Sequence, residues 1–79
     1  MKTEEFLDAL CRALGRGPNT LSLDDTPQTV AEWDSIGHLT IIATVDELLG
    51  VPVQDQRLRE FTSIGELVEQ LKSLGALKS

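Results

Sequence analysis

"EWDSIGHL", residues 32–39, sets one serine between an acid and an apolar run. Trp33 and Asp34 precede Ser35; Ile36, Leu39, Ile41 and Ile42 follow it. Asp and Ser are good helix caps, and the residues after them repeat at helical spacing, so the octapeptide reads as the junction of a loop with a helix. That helix is expected to span Ser35 to Leu49 and to stop at Gly50, with Pro52 beyond. Ile36, Ile41, Ile42 and Val45 are β-branched and poor in helix propensity, so tertiary packing has to hold it.

Outward from this junction the chain reads as helical throughout. Upstream, Phe6, Leu7, Leu10, Cys11 and Leu14 fall on one face of a helix expected over about 4–14, with Thr3 as its cap and Gly15, Gly17 and Pro18 ending it. Residues 15–34 form a long loop. Leu21, Leu23 and Val30 are expected to pin it to the core, and Asp24, Asp25, Thr26 and Pro27 read as a turn. Downstream, a short helix is expected at about 55–60. A last one follows at about 63–74, opened by the capping box Ser63-Ile64-Gly65-Glu66 and carried by Ile64, Leu67, Val68, Leu71 and Leu74. There is no strand pattern and no repeat. The fold class is all-α: a small four-helix bundle of three main helices and one short one, in a single domain over 1–79.

Composition narrows the function. The core of a 79-residue chain supplies only about 3–5 kcal/mol unless stapled. The single cysteine, Cys11, offers neither a disulfide nor, with one histidine, a zinc site, so no metal is expected. Cys11 lies in the apolar stripe of the first helix and reads as a buried small hydrophobe. No apolar run long enough to span a membrane and no basic-then-apolar leader is present, which implies neither a membrane span nor a signal peptide and a cytoplasmic setting. A net charge of −6 argues against nucleic acid. All of the uncompensated charge falls in 17–50, on Asp24, Asp25, Glu32, Asp34, Asp46 and Glu47, around Ser35, which favours a basic partner.

On a helical wheel the second helix has two apolar sides. Ile41, Ile42, Val45, Leu48 and Leu49 form the core face. Ile36, Leu39 and Ala43 form a narrower stripe on the far side, bordered by Asp46 and Glu47, either covered by the long loop or left for a partner. Ser35 lies at the N-terminal end, where unpaired N–H groups and the positive end of the dipole stabilise a phosphate ester. It therefore suits modification by a phosphate-linked group. Asp34 beside it caps the helix or holds a divalent cation while a pyrophosphate donor is attacked. Hydrolysis by Ser35 itself is disfavoured, because no second histidine, no G-x-S-x-G elbow and no preceding strand accompany it. His38 sits on the core side of the wheel and is expected to pack under the loop, bonded to a loop carbonyl; Trp33 is expected to anchor the end of the loop.

Asp34-Ser35-Ile36 resembles the Asp-Ser-Leu signature of acyl carrier proteins. The likeness extends to the helix lengths, the long first loop, Val51-Pro52 and Phe61-Thr62. It implies that Ser35 receives 4′-phosphopantetheine from coenzyme A, assisted by Asp34, and that the chain carries acyl groups as thioesters without being an enzyme. The implied partners are a phosphopantetheinyl transferase and acyl-loading and acyl-processing enzymes, docking a monomer at Ile36, Leu39, Ala43, Asp46 and Glu47. Gly37 and Thr40 stand where fatty-acid carriers have acids, and Arg57 and Arg59 make the short third helix basic. With Trp33 and His38, these departures look more like carriers of specialised pathways, polyketide and peptide assembly lines included. The alternatives are a peptidyl carrier with an aminoacyl cargo and an unmodified helical interaction domain.

Overall fold

The computed structural model describes residues 1–17, 19–52 and 60–78. Among them are three helices, α1 Thr3–Ala13, α2 Ser35–Leu49 and α3 Ile64–Ser73, and no strand beyond an isolated bridge between Lys2 and Lys78. The short helix expected at about 55–60 falls on residues that lie outside the described ones but for Glu60, which is not helical. No helix among the described residues is long and apolar enough to cross a membrane.

Each helix ends where backbone chemistry requires it. Gly15, Gly50 and Gly75 follow α1, α2 and α3 with φ of 74°, 68° and 76°, the left-handed conformation that glycine takes without a Cβ penalty. At the start of α1 the expected cap, Thr3, is instead the first helical residue. Its N–H and hydroxyl both turn to the Lys78 carbonyl, at 3.1 and 3.3 Å. The cap moves to Lys2, whose N–H donates to the Glu5 carboxylate at 3.1 Å. The capping box of α3 is also redistributed. Ser63 Oγ accepts from the Glu66 N–H at 3.1 Å, but the Glu66 carboxylate reaches back to the Thr62 N–H at 2.9 Å rather than to Ser63.

The core gathers Phe6, Leu10 and Cys11 from α1, Ile41 and Val45 from α2, and Ile64, Leu67, Val68 and Leu71 from α3. Leu21, Val30 and Trp33 join from the long loop, Val51 after α2, and Phe61 before α3. Cys11 is buried there as a small hydrophobe. Three expected core residues depart from this pattern, of which Ile42 is half-buried outside the core cluster. Leu48 is 40% exposed, because α1 and α2 leave between them an open groove that it lines with Met1, Ala9 and Thr44. Leu23 is 47% exposed and anchors the loop through its backbone instead.

That backbone anchor positions everything that follows. The first N–H groups of a helix have no partner within it. In α3, Ile64 N–H donates to the Asp25 carbonyl at 3.0 Å and Gly65 N–H to the Leu23 carbonyl at 2.9 Å, so the loop itself caps the helix. Within the loop Asp25 closes a turn. Its carboxylate accepts from the Ser22 N–H at 2.7 Å and from the Thr29 hydroxyl at 2.9 Å.

This turn carries a pH dependence. The Ser22 N–H, the largest influence, holds the Asp25 carboxyl below its ordinary range; burial, next in size, opposes it, and the Thr29 and Ser22 hydroxyls and the Arg16 charge add to the lowering. A depressed folded-state value stabilises the fold above the ordinary carboxylate pKa of about 3.9, and this is lost as pH falls through the lower folded value. Amide exchange at Ile64, whose acceptor is the Asp25 carbonyl, is expected to quicken below about pH 4 beyond the intrinsic rate. Asp25→Asn should remove that acid-dependent step; an unchanged acid profile in the variant would assign it to another group.

Candidate functional site

The junction of the long loop with α2 is built around one close approach. Gly37, in the first turn of α2, is buried, and a Cβ there would lie 1.7 Å from the Glu32 carbonyl oxygen and 2.8 Å from its carbon. Only glycine lets the loop backbone cross the helix at this point. Glu32 is held from its other end as well. Arg16 donates to the Glu32 carboxylate at 2.6 Å and to the Thr20 carbonyl and hydroxyl at 3.0 and 3.1 Å, bracing the two ends of the loop. Its own backbone N–H first, and then Arg16, hold the Glu32 carboxyl below the usual range. Glu32 is thus compensated by a base from outside the acidic stretch, and Asp25 is absorbed by its turn. The acidic centre read from the sequence is correspondingly weaker as a surface.

Trp33 is 5% exposed and does anchor the end of the loop. Its Nε1–H donates to His38 Nδ1 at 3.2 Å, with the two rings stacked at 6.5 Å between centroids and 9° between planes. Phe61 closes the group, 5.8 Å from Trp33 and 5.1 Å from His38. His38 therefore bonds the indole and not a loop carbonyl. A buried indole N–H needs an acceptor, and the imidazole one turn into α2 supplies it. In the neutral ring this leaves the proton on Nε2.

Asp34 is the N-cap of α2, and its Oδ1 accepts from the Gly37 N–H at 2.8 Å. The His38 N–H donates to the Asp34 carbonyl at 2.8 Å, the first bond of the helix. Ser35, the first helical residue, is exposed, and its hydroxyl and N–H, with the Ile36 N–H, have no protein partner among the described residues. A free hydroxyl thus stands beside two free N–H groups at the positive end of a helix dipole. The first turn of α2 holds no acidic residue, and the capping Asp34 carboxylate takes only the Gly37 N–H. Such a place stabilises a phosphate ester on the serine. Among the described residues no side chain accepts from the Ser35 hydroxyl, and His38 Nδ1 is already taken by Trp33.

Along α2, Ile36 is 75% exposed and Leu39 65%, and Ala43, Asp46 and Glu47 are exposed with them. The long loop does not cover this stripe. Thr40 sits nearby with its hydroxyl donating to the Ile36 carbonyl at 3.0 Å, and Thr44 repeats the pattern to Thr40 at 2.8 Å. Among the described residues no group of His, Cys, Asp and Glu is placed to hold a metal ion.

The sequence assigns no structural role to Gly37, Arg16 and Glu32, although Gly37 and Glu32 stand out there for other reasons. Gly37 did leave a signal, because glycine inside a helix costs about 1 kcal/mol relative to alanine and needs a packing reason to be there. The Arg16–Glu32 pair left none.

With this geometry in view, the chain is similar over 77 residues, at 27% identity, to a protein of Renibacterium salmoninarum named acyl carrier protein. The match covers 92% of this chain and 95% of that protein. No protein-family model matches the chain, and no solved structure matches it significantly. The near full-length relative and the all-helical architecture agree with a carrier-type fold.

Proposed function

We propose that this chain is an acyl carrier protein, and that Ser35 carries 4′-phosphopantetheine. The observation that bears most weight is the unengaged Ser35 hydroxyl at the start of α2, beside two free backbone N–H groups. The group fits there. Ser35 and Ile36 N–H groups would hold its phosphate, and Asp34, the residue before Ser35, caps the same helix end. In the transfer, Ser35 Oγ bonds to the pantetheine-bearing phosphorus of coenzyme A and the pyrophosphate linkage breaks. Adenosine 3′,5′-bisphosphate departs, and the hydroxyl proton passes to the transferase or solvent. When bound, the group supplies a terminal thiol for thioester cargo. The chain is a carrier and not an enzyme, in keeping with the name of its relative.

In this reading the protein works as a cytoplasmic monomer, passing thioester-bound intermediates among acyl-loading and acyl-processing enzymes of a fatty-acid, polyketide or related specialised pathway. Incubation with coenzyme A and a broad-specificity phosphopantetheinyl transferase, followed by intact mass, tests it. One phosphopantetheine per chain is expected. No addition to the folded protein would leave an unmodified interaction domain, a reading that the exposed stripe of α2 also favours.

Asp34 divides into two roles that a single substitution separates. Asparagine caps a helix as well as aspartate, whereas losing the cap costs about 0.5–2 kcal/mol. Asp34→Asn is therefore expected to melt at nearly the wild-type temperature while being loaded much more slowly, because it lacks the charge that organises a cation and pyrophosphate. Equal loading rates would leave Asp34 a cap alone.

Partners dock on Ile36, Leu39 and Ala43, with Asp46 and Glu47 steering at the edge. Burying a leucine contributes about 1.5–3 kcal/mol and an exposed ion pair roughly 0–1 kcal/mol. Leu39→Ala should weaken transferase recognition roughly tenfold, and Asp46→Asn no more than about fivefold. Titration by surface plasmon resonance orders the two; a dominant Asp46 would make docking electrostatic.

A further inference from the structure

Beside Ser35 lies a shallow hollow of about 480 Å³, lined by Pro27, Trp33, Asp34, Ser35, His38 and Leu39. We infer that this hollow is the resting site of the pantetheine arm, which lies against Pro27, Trp33 and Leu39 on the outside of the bundle. The inference rests on Ser35 as the point of attachment.

Three observations carry it. Ser35 is itself part of the wall, so a group tethered to its hydroxyl enters the hollow without crossing other structure. The wall is also preformed. Trp33 and His38 are locked together by the indole bond and stacked rings, with Phe61 behind them, so occupying the hollow requires no rearrangement. Entering the core would require one, because Ile41, Ile64, Leu67 and Leu71 are fully buried and close-packed. Finally, the chemistry matches. Pantetheine carries a branched dimethyl carbon followed by two amides. Pro27, Trp33 and Leu39 in the lining offer the first an apolar surface. His38 also lines the hollow, and with Nδ1 accepting from Trp33 its remaining ring donor for an amide carbonyl is Nε2–H. Leu39, 65% exposed at the rim, is also part of the stripe assigned to partners, so a docking enzyme and the resting arm meet at one side chain.

The arm is best followed directly. Coenzyme A labelled with carbon-13 in the pantetheine is loaded by a transferase, and intact mass establishes that the arm is on. Isotope-filtered cross-relaxation spectra should then show the arm methyls close to the Trp33 indole, the Leu39 methyls and Pro27, and the Trp33 indole N–H resonance should shift between unloaded and loaded protein. Pro27→Glu, an exposed loop position, should keep the mass addition and lose most of the cross-peaks to Trp33 and Leu39. Normal loading with freely tumbling, contact-free methyls would overturn the resting site and leave Ser35 standing. So would methyl contacts to Ile41, Leu67 or Leu71, which place the arm inside the bundle. Failure of the mass addition itself would overturn the Ser35 assignment and this inference with it.

Discussion

Gly37→Ala is expected to lower the melting temperature by about 12–24 °C, the shift that corresponds to roughly 3 kcal/mol in a domain of this size. On helix propensity alone the substitution has the opposite sign, since alanine gains about 1 kcal/mol over glycine in a helix interior. Packing decides the outcome. The new Cβ would lie 1.7 Å from the Glu32 carbonyl oxygen, and the obstacle is backbone that cannot swing aside as a side chain would. Overpacking of this kind costs about 1–3 kcal/mol or more. The relief would have to come from moving residues 31–34, which would disturb the Arg16–Glu32 pair and the Trp33–His38 bond together. Glu32→Ala removes the side chain and leaves the carbonyl, so the double variant Glu32→Ala/Gly37→Ala should be no more stable than Gly37→Ala, whereas Glu32→Ala alone should lose far less. Thermal circular dichroism reads all three. A melting temperature at or above wild type for Gly37→Ala would mean that the loop does not cross α2 at this point.

The same contact accounts for a departure in the sequence that otherwise invites a functional explanation. Gly37 stands where the fatty-acid carriers that this sequence resembles have an acid, and a reduced electrostatic role for α2 is one reading. The backbone crossing supplies a simpler cause: no side chain fits between α2 and the Glu32 carbonyl.

What was legible in the sequence follows from what periodicity encodes. Apolar spacing tells which face of a helix is turned inward, and the caps tell where it begins. The bounds of α2 at Ser35 and Leu49, the buried Phe6, Leu10, Ile41, Val45, Leu67 and Leu71, and the outward stripe of Ile36, Leu39 and Ala43 were therefore readable. α1 and α3 lie within a residue of their expected limits. Periodicity does not encode the path of a loop. Leu23 was expected to bury its side chain but contributes its carbonyl to α3, and Leu48 falls on the inward side of the wheel where no neighbouring helix covers it. Likewise, the partner of His38 could not be foreseen. A half-buried imidazole bonds whatever the loop presents, and here that is the Trp33 indole. The candidate site is thus divided in its legibility. Asp34 and Ser35 announce themselves by residue type at a helix start, whereas Gly37, Glu32 and Arg16, which hold them in place, emerge only with the loop's course.

Ser35→Ala is expected to abolish phosphopantetheine addition completely while changing the melting temperature little. The Ser35 side chain is exposed and makes no hydrogen bond among the described residues, and alanine is the best helix former. A surface change of this kind stays within about 0.5 kcal/mol. Asp34 continues to cap Gly37, so α2 should begin at the same place. The other described serines provide the contrast. Ser63 also stands at a helix start, but its hydroxyl accepts from the Glu66 N–H, and the loop carbonyls of Asp25 and Leu23 have taken the free N–H groups of that helix. Ser22 is turned toward Asp25 within the loop, and Ser73 ends α3, where the dipole presents its negative end to a phosphate. Free hydroxyl, free N–H groups and the positive dipole end thus coincide at Ser35. Intact mass and peptide mapping of transferase-treated wild type and variant read the result. Addition to Ser63 in the variant would show that a helix start suffices without an unengaged hydroxyl, and addition at any site in Ser35→Ala at the wild-type rate would remove Ser35 from the function.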